Sequence, residues 1–180
     1  MSCIPATPVV PSLLSTQATQ GWSSLGTGLI TTALSQYFPI LAGVVPYYDV
    51  FQTTGQHAII RQLEFEETAS SAANIRKVPL IVAIYAGSTT PTTPTSGAVY
   101  NPSTTGLIGC IEIAEADYKR TSDTVWTAVV NPNRYIRSGE LSASDDNVNL
   151  VILSNSATTK TYAAGAQGRI RMITELGTAL

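Results

Sequence analysis

One histidine (His57), two cysteines (Cys3 and Cys110) and twelve acidic side chains are the groups of this chain that invite a chemical reading. Nucleophilic catalysis needs a Ser or Cys beside a base that a third group orients. His57 follows Gly55-Gln56 at the entry to a strand, with no such partners near it in sequence, and reads as a surface turn residue. Zinc needs clustered Cys and His ligands, which are absent. Glu64, Glu66, Glu67 and the pair Asp145-Asp146 raise calcium or a paired-carboxylate glycosidase. No calcium-loop spacing surrounds them, and catalytic carboxylate pairs are set by the fold. A solvated strand face and a turn account for them. Gly26-Thr-Gly28 is too short for a phosphate loop. Arg169 and Arg171 share one face of the last strand and are expected to pair with Glu64 or Glu66 across a sheet, the alternative being an acidic partner surface. Trp126 is in phase with Ala128 and Val130, which favours core or interface over sugar stacking; Trp22 raises the same question. The residues therefore predict no catalytic, cofactor-binding or metal site, no cofactor, and no enzyme.

Composition narrows the partners. Charged residues make up 12% of the chain, about half the usual share, and the net charge is −2. No basic block exists to steer it onto nucleic acid or anionic lipid. The most apolar long segment, Leu29 to Val45, is broken by Thr31, Thr32, Ser35, Gln36 and Pro39 and is no membrane span. The N-terminus lacks a signal peptide's basic and apolar regions. Both cysteines are expected as free thiols, Cys110 packed as a small hydrophobe.

The elements that must position these groups are strands. Leu107 to Tyr118 is the organising stretch: Gly109, Ile111 and Ile113 share a face, Gly109 signals a bulge or close approach, Asp117 can bond backbone amides at a corner, and Tyr118 can cover the core's edge. Alternation bounded by Gly, Pro and Asn predicts strands near 58–67, 78–86, 107–113, 124–130, 148–153 and 168–174. Shorter candidates are Tyr47 to Phe51 and Tyr135-Ile136, and a short helix is read around Gly28 to Tyr37. In the first long strand, Ile59, Arg61, Leu63 and Phe65 fall on one face and Ile60, Gln62, Glu64 and Glu66 on the other. Thr53 to His57 and Ser142 to Asn147 read as turns, and Gly87 to Asn101 as a solvated Thr/Pro loop. The fold class is all-β: an antiparallel β-sandwich, jelly-roll-like. The strands 78–86, 124–130 and 148–153 are apolar on both faces, which requires cover from the N-terminal segment or another chain.

Met1 to Tyr48 carries no Asp, Glu, Lys or Arg. It divides the chain into an extended uncharged N-terminal arm, 1–46, and a β-sandwich domain, 47–180. Its many large apolar residues need a surface, either the parent domain or a neighbouring subunit.

The runs Gly-Gln-His-Ala-Ile-Ile-Arg-Gln-Leu-Glu-Phe, Val-Pro-Leu-Ile-Val-Ala-Ile-Tyr-Ala-Gly, Leu-Ile-Gly-Cys-Ile-Glu-Ile-Ala-Glu-Ala-Asp-Tyr and Tyr-Ala-Ala-Gly-Ala-Gln-Gly-Arg-Ile-Arg-Met-Ile together resemble tailed-bacteriophage virion structural proteins. In particular, 47–174 is similar to head decoration, or cement, proteins of β-sandwich type. The resemblance implies a non-enzymatic protein on the capsid outer surface of the virion that bridges major capsid protein subunits, associates with itself as a homotrimer, and takes neither nucleic acid nor membrane as partner. The uncharged N-terminal segment and the Thr/Pro loop depart from that pattern. The alternative is a tail- or fibre-associated β-module that binds carbohydrate or a receptor.

Overall fold

The computed structural model describes residues 17–19, 23–24, 29–41, 43–47, 50, 57–87, 91–101, 104–137 and 147–177. Of the predicted turns Thr53 to His57 and Ser142 to Asn147, every residue but His57 and Asn147 lies outside them.

The described residues form an all-β structure of two antiparallel sheets. The strands are β1 (Gln17–Thr19), β2 (Ser23–Ser24), β3 (Val45–Tyr47), β4 (His57–Thr68), β5 (Leu80–Ala86), β6 (Leu107–Ile113), β7 (Tyr118–Arg120), β8 (Val125–Val130), β9 (Arg134–Arg137), β10 (Val148–Ser154) and β11 (Gln167–Gly177). The first sheet runs β1-β11-β4-β8-β7, with β2 also on β11 and β9 also on β4; the second runs β3-β10-β5-β6. All six long strands predicted from alternation are present. The core lies between the sheets: Ile60, Leu63, Phe65, Ile170 and Met172 from the first meet Leu80, Val82, Ile84, Ile111, Leu150 and Ile152 from the second.

The phase of β4 differs from simple alternation. Its pairing with β11 shifts between Ile173 and Thr174, so that Ile173 faces Gln62 and Thr174 faces Ile60. Arg61 is the extra residue of a β-bulge, and a bulge reverses which side chains point inward. Ile60 is therefore buried with Leu63 and Phe65, and Ile59 is turned toward the outside. The guanidinium of Arg61 bonds Glu175 and, at 2.9 Å, Asn133 Oδ1. A second bulge lies in β6 beside Gly109, where Ile84 pairs with Gly109 but Tyr85 with Leu107. Of the two readings of Gly109 the bulge is the one found; a Cβ there would meet only the exposed Arg134 side chain, at 2.9 Å from Nε.

No helix forms over 28–37 among the described residues. Leu34 instead makes an antiparallel bridge with Lys160, each amide donating to the other's carbonyl at 2.7 and 3.1 Å. Ile40 N donates to Ile152 O, and Tyr37 and Phe38 exchange backbone bonds with Ser154. Residues 37–40 thus run along the same strand, β10, that β3 extends. Leu29, Leu34, Ile40 and Leu41 are buried in the common core. The described second half of the uncharged segment is packed on its own chain.

The outer face of the second sheet carries a smaller apolar cluster, Ala83, Tyr85, Val151 and Leu153. Two sources cover it: Val44 from the N-terminal segment, and Tyr100 from the Thr/Pro loop. Tyr100 N donates to Tyr37 O at 2.9 Å, tying one cover to the other. The loop is therefore not simply a solvated excursion; Pro91 and Pro94 are buried along with Tyr100.

Candidate functional site: the polar end of the sandwich

Three chain segments cross between the sheets at one end of the molecule. They are 69–79 between β4 and β5, 114–117 between β6 and β7, and 155–166 between β10 and β11. Polar side chains converge there. Glu67, the penultimate residue of β4, is fully buried. Its two carboxylate oxygens accept the amides of Arg76, at 2.7 Å, and Lys77, at 2.9 Å. Lys77 has φ +47°, a backbone conformation that L side chains rarely adopt and that this pairing holds in place. Lys160 Nζ donates to Glu115 Oε2 at 2.7 Å and to the carbonyls of Arg76 and Lys77 at 3.2 and 3.4 Å. Arg76 Nε donates to Thr161 O at 2.9 Å. Lys77 Nζ lies 5.0 Å from the centroid of the Trp126 ring, and Trp126 pairs with Glu67 in register.

The organising corner closes this end. Ala114 N donates to Asp117 Oδ2 at 2.7 Å, and Asp117 N returns a bond to Ala114 O at 3.1 Å. Tyr118 is buried, stacks edge-on against Phe65, and donates its hydroxyl to Val78 O at 2.8 Å. Both roles read from the sequence, amide capture by Asp117 and edge cover by Tyr118, are those observed.

Electrostatics separate the two carboxylates. Burial pushes Glu67 above its ordinary value; the bonds from Arg76 and Lys77 and the charges of Arg76 and Lys160 oppose this without cancelling it. Glu115 is held below its ordinary value, chiefly by its bond from Lys160. Burial also drives the phenols of Tyr118 and Tyr162 well up, so both stay neutral. A buried, raised carboxylate invites an acid–base reading. Here both oxygens are taken by backbone amides and the side chain has no solvent exposure, so it has no route to a substrate.

The other carboxylates lie in a cross-strand ladder on the outer face of the first sheet. Arg171 Nε donates to Glu64 Oε2 and Arg169 Nε to Glu66 Oε1, each at 2.9 Å, and both pairs sit directly opposite across β4 and β11. This is the pairing predicted from phase. The face is less solvated than its alternation suggests, because each arginine covers its glutamate and leaves Glu64 and Glu66 nearly buried. Removing one partner of such a pair strands a nearly buried charge. A double-mutant cycle on Glu64→Gln and Arg171→Met is expected to give a coupling of about 1–2 kcal/mol in urea denaturation. The exposed pair Arg120–Asp123 should give no more than about 0.5 kcal/mol. Equal couplings at both sites would contradict the burial argument.

Cys110 corrects its expectation. It is exposed, because it shares phase with exposed Glu112 on the outer side of the edge strand β6. Maleimide should label Cys110 in the native protein as fast as in denaturant, and Cys110→Ser should shift unfolding by less than about 0.5 kcal/mol. Slow native labelling would show the thiol to be covered.

His57 is the first residue of β4, paired with Arg137 and Gly177. Cys3, Trp22, Asp145 and Asp146 lie outside the described residues. Trp126 packs against the core, as its phase predicts. Among the described residues no three His, Cys, Asp or Glu side chains group to hold a metal. What the sequence did not disclose is the hollow beside the cover loop, about 230 Å³, lined by Thr92, Thr93, Thr95, Ala98, Val99, Tyr100 and Asn101. Its only advance signal was the density of Thr in that loop.

The fold and this end of it define a class: an all-β two-sheet protein in which Glu67, Arg76, Asp117 and Tyr118 converge on bonds to its own backbone. No family model matches the chain, and no curated protein matches it. Among solved structures, it is similar to a chain of a massively expanded equine rhinitis A virus particle, from work on a picornavirus capsid. The identity is 14% and the TM-score 0.32, covering 98% of this chain and 87% of that one. It is also similar to a chain of desmodium yellow mottle tymovirus, at 15% identity and TM-score 0.26, covering 100% and 96%.

Proposed function

We propose that this chain is a non-enzymatic structural protein of a virus particle: a decoration (cement) protein that binds the outer surface of an assembled phage head and bridges major capsid protein subunits. The observation that carries the non-enzymatic part is the closed state of Glu67, the described carboxylate whose environment most resembles a catalytic one. The virion assignment is supported by the resemblance of 47–174 to β-sandwich decoration proteins. Self-association as a homotrimer belongs to the same reading, as does an N-terminal arm within 1–46 that reaches a neighbouring subunit. Exposed Tyr135 and Val129, at 55% and 40%, lie on β9 and β8 and add apolar surface for such contacts.

The test is co-sedimentation with purified assembled heads lacking this protein, paired with analytical ultracentrifugation of the free chain. Saturable binding to heads and a trimer are expected. A monomer that leaves heads undecorated overturns the reading.

The second reading, a tail- or fibre-associated module that binds carbohydrate or a receptor, is favoured by one feature: the hollow beside the cover loop, where Thr92, Thr93, Thr95 and Asn101 stand among the apolar surface of Ala98 and Val99. Binding on a glycan array that Tyr100→Ala abolishes would select it.

A further inference from the structure

We propose that the 69–79 crossover is a proton-linked latch, clamped from beneath by Glu67 and from its flank by the Lys160–Glu115 pair, that holds tightest in mild acid and loosens toward neutral pH. Glu67 grips two successive amides of the crossover, and Lys160 grips the two carbonyls of the same residues, Arg76 and Lys77. The crossover cannot lift without exposing Glu67 to water and freeing Lys160 from both carbonyls.

The groups facing Glu67 come from every element around it: Arg76 and Lys77 on the crossover, Lys160 and Tyr162 before β11, Tyr118 on β7, and Glu115 beyond Lys160. Neither cation meets the Glu67 carboxylate head-on. The Arg76 guanidinium is turned to Thr161 O and Ala73 O, and Lys160 to Glu115 and the two carbonyls. A carboxylate buried without a direct counter-ion binds its proton more tightly when closed than when open to water.

The signs follow by linkage. For Glu67 the closed state has the raised value. Its contribution to closure is fully present below the ordinary value of 4.5 and is lost as pH rises through the raised one. For Glu115 the closed state has the lowered value. Its contribution is present above 4.5 and lost as pH falls through the lowered one. The two slopes oppose each other, so closure is strongest near pH 4.5 and weakens on both sides.

The experiment is a pH titration of the full chain by nuclear magnetic resonance, following the amide protons of Arg76 and Lys77, with amide exchange of 69–79 corrected for intrinsic rates. Both amides should titrate together with a midpoint above 4.5, and corrected protection should fall about tenfold toward neutral pH. In Glu67→Gln that fall should vanish. In Lys160→Gln the midpoint should move up, because a cation that favours the ionised form is gone; a merely structural lysine would not move it. Amides that do not titrate, a midpoint below 4.5, or protection that grows toward neutral pH overturns the latch. The wild-type titration decides this even if a variant fails to fold.

Discussion

Glu67→Ala is expected to destabilise the protein by about 3 kcal/mol in chemical denaturation. The substitution leaves the amides of Arg76 and Lys77 buried without acceptors, and each such orphan costs about 1–3 kcal/mol. Relief of the buried carboxylate's desolvation offsets part of that sum, which is why the expectation sits in the lower half of the range. Lys77 would also lose what holds its left-handed backbone. Glu67→Gln keeps the shape and one good acceptor and also sheds the buried charge, so it should change stability by less than about 1 kcal/mol at neutral pH. The ordering Ala well beyond Gln identifies amide capture as the role. Equal losses for both would identify the charge instead, and no loss in either would show that the grip contributes nothing.

Removing residues 1–44 is expected to abolish folding altogether. That deletion takes away Leu29, Leu34, Ile40 and Leu41, all buried between the sheets, and the backbone bonds that 34–40 make to Lys160, Ile152 and Ser154. Truncating a single buried leucine or isoleucine to alanine costs about 2–5 kcal/mol. Four such losses match or exceed the roughly 5–15 kcal/mol that holds a domain together. A chain beginning at Leu29 keeps all of that packing. It loses β1 and β2 from the edge of β11 but keeps the core, so it should still give a cooperative β-type circular dichroism melt, and any loss of self-association or head binding in it reports on residues 1–28, their pairing with β11 included. If the chain lacking 1–44 melts cooperatively near the wild-type temperature, the core assignment of 29–41 is wrong. Leu34→Ala alone should cost about 3 kcal/mol, an independent check that leaves chain length unchanged.

Local pattern determined much of this protein. Period-2 alternation placed the six long strands, because a strand's side chains must point alternately in and out whatever it pairs with. The same rule put Arg169 and Arg171 on one face and matched them to Glu64 and Glu66. The corner at Asp117-Tyr118 was legible because an Asx carboxylate reaches an amide only a few residues away, a contact fixed by local geometry.

The tertiary structure decided the rest. The bulge at Arg61 reversed the phase of residues 57–60 against the rest of β4, and a bulge depends on the partner strand, so nothing within 57–68 announces it. Leu29 and Leu34 joined the core on a non-helical stretch because Lys160, more than a hundred residues on, supplies Leu34 with the backbone partners that a helix would have found within itself. Cys110 became exposed because its strand ended up at a sheet edge. The loop over Ala83, Tyr85 and Val151 was cover rather than excursion because the second sheet's outer face was apolar and Tyr100 could reach it. Most of all, Glu67 read as one more carboxylate on a solvated strand face. Alternation with Leu63 and Phe65 already points it inward, but its two amides and its place beneath Lys160 exist only where three crossovers meet, and their meeting is a property of the two packed sheets, not of any single stretch of chain.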